Sequence, residues 1–132
     1  MSNLRAGLVG LGMMGRNHAR VLASLDGVEL VAVADPASQH EHPADSQRVS
    51  DLDDLLDLGL DYVVIAAPTG AHADVAATCA QRGLHVLVEK PLTTDVAEAE
   101  RLEGLFDDAG LIGAVGHIER YNPALQQAKR RL

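Results

Sequence analysis

Gly10-Leu11-Gly12-Met13-Met14-Gly15 is the stretch on which the reading of this chain turns. Alone, a G-x-G-x-x-G pattern is a weak signal, because glycine is common and short patterns recur by chance. Its flanks make it specific. Leu4 to Val9 is a short apolar run of strand character, and Asn17 to Leu25 carries helical periodicity. In such a strand–loop–helix unit, Gly10 takes backbone angles closed to other residues and Gly12 lets a phosphate approach the main chain. Gly15 lets the helix pack tightly on its strand. The helix start then offers unpaired N–H groups and the positive end of its dipole to a pyrophosphate. The stretch predicts a dinucleotide site.

Outward from the loop, strand and helix signals alternate. Strands are expected at Leu4–Val9, Glu29–Ala34, near Val49, at Tyr62–Ala67, Leu84–Val88 and Leu111–Val115. Helices are expected from Met13 to Leu25, Asp51 to Leu56, about Ala71 to Arg82 with Gly83 closing it, Thr94 or Asp95 to Asp108, and from Pro123 onward. Residues 116–122 read as a loop. This alternation predicts an α/β fold, a doubly wound parallel (Rossmann) sheet in three layers, with strand order 3-2-1-4-5-6.

At 132 residues the chain is one domain with enough length to bury a core without disulfides or metals. One Phe, two Tyr and no Trp leave the core to Leu, Val, Ile and Ala, which suits a parallel sheet between helices. They also leave no platform for stacking nucleic-acid bases. A net charge of −8, concentrated between residues 36 and 100, repels phosphate backbones and anionic lipid, so neither nucleic acid nor membrane is an expected partner. Cys79, the single cysteine, is read as helix packing against the sheet and points to a reducing, cytoplasmic setting. His40-Glu41-His42 sets two imidazoles around a carboxylate in a loop without a third spaced ligand, so no metal site is expected.

Ligands of an open parallel sheet bind beyond the carboxyl ends of its strands. Asp35 follows strand 2, twenty residues after Gly15, where a carboxylate accepts from adenosine ribose hydroxyls. The same charge repels a 2′-phosphate, and no Arg or Lys follows closely in sequence to offset it, so NAD is expected over NADP. Ala67-Pro68-Thr69-Gly70-Ala71-His72 follows strand 4. It reads equally as a plain turn or as a helix start aimed at the cleft, with His72 on the first helical turn. Glu89-Lys90-Pro91 follows strand 5 and reads equally as a surface Glu–Lys pair or as a cation beside a nicotinamide ribose or substrate oxygen. Met13 and Met14 are expected to contribute backbone N–H groups while their side chains fill the gap beneath the loop.

Together, the glycine loop with Asp35, Ala67 to His72, and Glu89-Lys90-Pro91-Leu92 resemble the Gfo/Idh/MocA family of dehydrogenases. Gly116-His117-Ile118-Glu119-Arg120-Tyr121-Asn122-Pro123 is similar to the family's passage into a second domain, in the branch with nucleotide-sugar 3-dehydrogenases. The resemblance implies that Gly10, Gly12, Met13, Met14 and Gly15 hold the pyrophosphate and Asp35 the adenosine ribose. It implies that Pro68, Thr69 and His72 line the cofactor cleft, and that Glu89 and Lys90 lie near the nicotinamide ribose. Arg120 and Asn122 would approach the nicotinamide end, and Lys90–Pro91 would be cis. Lys90 would also face substrate and take part in catalysis, with a His or Asp of the second domain.

The resemblance further implies a boundary, with residues 1–120 as the dinucleotide-binding domain and 121–132 as the start of a connection to a substrate domain. On that expectation the chain is a truncated cofactor domain, catalytically incomplete alone. It would come from an NAD-dependent oxidoreductase that moves hydride to or from a sugar-like or nucleotide-sugar alcohol, and the full-length parent would be a homo-oligomer. The alternatives are a non-catalytic nucleotide-sensing module and an NADP-using member of the same family.

Overall fold

The two periodicities of the sequence sort their residues onto opposite faces of one sheet. The protein is described by a computed structural model covering residues 2–132. Its strands are β1 (Leu4–Val9), β2 (Val28–Ala34), β3 (Gln47–Val49), β4 (Tyr62–Ile65), β5 (His85–Val88) and β6 (Gly113–Val115). They lie side by side as β3-β2-β1-β4-β5-β6 with every neighbouring pair parallel, the predicted order. Helices α1 (Met13–Ser24), α2 (Leu52–Leu56), α3 (Thr69–Gln81), α4 (Val96–Asp108) and α5 (Pro123–Lys129) complete the chain, with one 3-10 turn at Ile118–Tyr121 inside the expected loop.

Alternation along β1 and β4 sends Ala6, Leu8 and Val64 to one face, where Ala19 and Leu22 of α1 meet them. Val63 and Ile65 point to the other face. There Leu55 and Leu56 of α2, Ala73, Ala76 and Cys79 of α3, and Leu102 and Phe106 of α4 form the larger core. In β2 a bulge interrupts the alternation. Ala6 pairs with Leu30 but Gly7 with Ala32, so Val31 is the extra residue, and both Val31 and Ala32 join the larger core. Cys79 is fully buried, and that burial pushes its thiol up to about 12.

Element ends differ from expectation for identifiable reasons. β4 stops at Ile65 rather than Ala67, as the chain turns toward Pro68, which has no N–H to give a ladder. β6 starts at Gly113 rather than Leu111, because the Leu111 N–H turns back to the Phe106 carbonyl at 2.9 Å. α3 begins at Thr69 and ends ahead of Gly83, whose φ is +73°. Among the described residues no helix is long and apolar enough to cross a membrane.

Candidate functional site

The carboxyl ends of β1, β2, β4 and β5 open onto a cavity of about 520 Å³. Its floor is the glycine loop. Gly10 has φ +95°, and a Cβ there would lie 2.5 Å from the Ala66 carbonyl oxygen. A Cβ on Gly15 would lie 2.0 Å from the Gly10 carbonyl oxygen, so α1 can sit this close to the loop only with glycine at that position. At Gly12 a Cβ would meet nothing within 4 Å, because that face of the loop looks into the cavity. The gap beneath the loop is filled by Leu11, which is fully buried, and not by Met13, which is 73% exposed. Gly15, Ala19 and Leu22 form the buried stripe of α1, and Met13 stands on its other side. Met13 and Met14 both line the cavity.

Helix starts separate into two kinds. α2, α4 and α5 are capped by side chains: Asp51 accepts from the Asp54 N–H, Asp95 from Glu98 and Asn122 from Ala124. The helices that begin at the cavity are not. The N-cap residue of α1 is Gly12 and that of α3 is Pro68, and neither makes a side-chain capping hydrogen bond. First-turn N–H groups of both, with the positive ends of their dipoles, border the cavity alongside Pro68 and Thr69.

Asp35 stands just beyond β2 with both oxygens engaged. Oδ2 accepts from the Leu11 N–H at 2.7 Å, and Oδ1 from the N–H groups of Ala37 and Ser38 at 2.9 and 2.8 Å. Partial burial pushes its pKa up, but these three backbone donors and the Arg48 charge outweigh it and hold the carboxyl below its usual range. Asp35 therefore pins the glycine loop to the end of β2 as well as facing the cavity. Arg48 corrects the expectation that no cation offsets Asp35. It comes from β3, thirteen positions on, and its guanidinium donates to the Ser38 carbonyl at 2.6 Å and to the His40 carbonyl. Sequence distance hid it, since only the parallel β2–β3 pairing brings it alongside.

At the other end, Glu89 is 6% exposed and paired with His18 of α1, Nε2 to Oε1 at 2.7 Å, while its Oε2 accepts from the Lys90 N–H at 3.2 Å. Sequence reading missed His18. A carboxylate ending an apolar buried strand demands a partner, and that was the available signal. Lys90 is exposed, and its ammonium forms no ion pair among the described residues. The Lys90–Pro91 bond is cis. His72 is 2% exposed, at the cavity's edge. Its ring nitrogens lie 2.8 Å from the Ala67 carbonyl and 2.9 Å from the Pro91 carbonyl, so it clips the loops after β4 and β5 together.

Arg120 and Asn122 are not brought to this cavity. Asn122 caps α5 and donates to Glu119 at 2.8 Å. Arg120 lines a neighbouring cavity of about 720 Å³, which shares Lys90 with the first.

Comparison with known proteins identifies the family and the fold. The oxidoreductase family described as having an NAD-binding Rossmann fold, GFO/IDH/MocA, matches residues 4–117. UDP-N-acetylglucosamine 3-dehydrogenase of Acidithiobacillus ferrooxidans is 35% identical over 98% of this chain and 42% of its own length. The NAD(+)-dependent scyllo-inositol 2-dehydrogenase of Bacillus subtilis is also 35% identical, over 98% of this chain and 40% of its own. The crystal structure of scyllo-inositol dehydrogenase from Lactobacillus casei, with bound NAD(H) and scyllo-inositol, superposes with a TM-score of 0.86. That match has 25% identity over 98% of this chain and 40% of the other. The chain thus spans about two fifths of the length of the relatives it matches.

Proposed function

From the premise that this chain belongs to the Gfo/Idh/MocA oxidoreductase family, with an NAD-binding Rossmann fold, we propose that it is the cofactor-binding part of an NAD-dependent dehydrogenase. The enzyme would act on a sugar-like or nucleotide-sugar alcohol. The observation that carries the reading is Gly12. It leaves open space directly at the uncapped start of α1, a cradle that any side chain would fill.

In this reading the pyrophosphate lies against Gly10, Gly12, Met13, Met14 and Gly15, with Gly15 acting through close packing. Asp35 takes the adenosine ribose, and Pro68 and Thr69 border the middle of the cleft. Glu89 and Lys90 lie at the nicotinamide end, while Arg120, on the segment after β6, lines the neighbouring cavity that shares Lys90. Bound NAD supplies the hydride chemistry. Lys90, exposed and without an ion pair among the described residues, holds its ammonium toward the reacting oxygen of the alcohol and stabilises negative charge there. His72 holds the Lys90–Pro91 loop in place. Residues 1–120 form the cofactor domain and 121–132 begin the connection to the substrate-binding part. The isolated chain binds NAD without turning over substrate, and the parent enzyme works in the cytoplasm as a homo-oligomer. Arg48 supports a second reading, use of NADP, because it places a cation beside Asp35.

The test is Gly12→Val. Its Cβ meets nothing within 4 Å, so the stability loss is confined to about 1 kcal/mol, the cost of an apolar residue in place of glycine at a helix N-cap. NAD affinity, read by calorimetry, falls by more than about tenfold, equivalent to about 1.4 kcal/mol. Unchanged affinity in the variant would overturn the cradle. Parallel titration with NADP decides the cofactor, and tighter NADP binding would refute the assignment to NAD.

A further inference from the structure

Helix α1 turns Gly15, Ala19 and Leu22 to the sheet, and His18 falls on the same stripe, at i+3 from Gly15. An imidazole on that stripe needs a polar partner, and the far half of the sheet supplies it. Nε2 of His18 lies 2.7 Å from Oε1 of Glu89, both side chains being largely buried. A carboxylate only accepts, so Nε2 is the donor. The other oxygen, Oε2, accepts from the Lys90 N–H at 3.2 Å. The loop after β6 closes on the same carboxylate, since a Cβ on Gly116 would lie 3.3 Å from Oε1. One residue beyond Lys90, the Pro91 carbonyl accepts from His72 at 2.9 Å. The backbone of Lys90 is thus clipped on both sides, to α1 through Glu89 and to α3 through Pro91.

We propose that His18 is a positioning residue for the nicotinamide end of the cofactor, acting through the Glu89 carboxylate and the Lys90 backbone. It rests on the dehydrogenase reading for what fills the cleft and adds to it a residue outside the cavity lining. The role follows from what Glu89 does when His18 is gone. Its Oε1 then becomes a buried acceptor without a donor, which is costly to keep. Gly116 lies against it on the β6 side, whereas the cofactor cavity, which Glu89 lines, is open. Turning that way relieves the carboxylate. It also releases the Lys90 N–H and sets a negative charge in the space given to the nicotinamide ribose. Asp35 and the glycine loop lie at the opposite end and keep their contacts. The loss therefore falls on the nicotinamide riboside half of the cofactor and spares the adenosine and pyrophosphate half.

The chain and its His18→Leu, His18→Asn and His18→Gln variants are titrated by calorimetry with NAD and with ADP, which lacks the nicotinamide riboside. Glutamine sets an amide nitrogen where Nε2 stood, asparagine is one methylene too short, and leucine donates nothing. The ratio of NAD to ADP affinity falls roughly fivefold in His18→Leu and His18→Asn, the effect of one lost hydrogen bond, and His18→Gln recovers it to within about twofold. Hydrogen exchange at the Lys90 amide, taken relative to Val64 in the core, speeds at least about tenfold in the first two variants and slows again in the third. A merely structural role weakens both ligands alike and speeds both amides together. An unchanged affinity ratio, an unchanged relative exchange rate, or no recovery in His18→Gln would each overturn the proposal. Should His18→Leu fail to fold, the polar His18→Asn carries the comparison. If neither NAD nor ADP binds the parent chain, the cofactor reading fails instead, and Lys90 exchange still decides whether His18 holds the loop.

Discussion

Asp35→Asn separates two jobs that one carboxylate performs. Asp35 offers acceptors on both oxygens, one to Leu11 and one shared by Ala37 and Ser38. An asparagine has a single acceptor oxygen, and its amide donates. Turned one way it keeps Ala37 and Ser38 but sets two donors face to face at Leu11. Turned the other way it keeps Leu11 and loses the remaining pair. An N–H left without an acceptor costs about 1–3 kcal/mol when buried, and partial exposure of this site favours the lower half of that range. For a domain of this size that is a drop of about 3–8 °C in melting temperature. Thermal unfolding by circular dichroism reads the stability, and calorimetry reads NAD affinity, which falls because the loop is no longer pinned. The pH dependence carries the same signature. A carboxyl whose folded pKa is depressed contributes stability that is present above its unfolded value of about 3.9 and is lost as pH falls through the folded value. The parent chain therefore loses part of its advantage over Asp35→Asn as the solution is acidified below about pH 4. A variant with the parent's melting temperature at pH 7 would show that Asp35 is only a ligand contact and would refute the reasoning.

Two further substitutions test the neighbouring parts. Gly15→Ala places a methyl 2.0 Å from the Gly10 carbonyl oxygen, so α1 must move, and a destabilisation of at least about 1–3 kcal/mol is expected by urea unfolding. Stability unchanged by Gly15→Ala would show that α1 and the loop are not in tight contact. His18→Leu strips the partner from the buried Glu89 carboxylate and costs about 1–3 kcal/mol, with His18→Gln recovering part of the loss through its amide donor. Equal midpoints for His18→Leu and the parent chain would remove Glu89 from any dependence on α1.

The sheet was legible because a strand buried on both faces is written almost entirely in Val, Ile, Leu and Ala, as in Tyr62 to Ile65 and Val28 to Ala34. The glycine loop was legible because backbone geometry and close approach restrict residue type at Gly10 and Gly15. Asp35 was found by spacing alone. What the sequence hid are contacts made across the fold: Arg48 beside the Asp35 loop, and His18 on Glu89, residues separated by 71 positions. No local pattern encodes such pairs, since each depends on which strand lies next to which. Met13 was misread for another reason. Its neighbours suggested a filled gap, but the α1 face that meets the sheet is set by Gly15, Ala19 and Leu22, and Met13 falls off that stripe.

Cys79 turns out to be an experimental asset. It is the chain's one thiol, fully buried and held protonated to about pH 12, and is therefore silent to maleimide and iodoacetamide dyes while the protein is folded. A cysteine introduced at exposed Ala124 would be the sole reactive thiol in the molecule. A fluorophore there can report on α5 directly, with the native core left untouched.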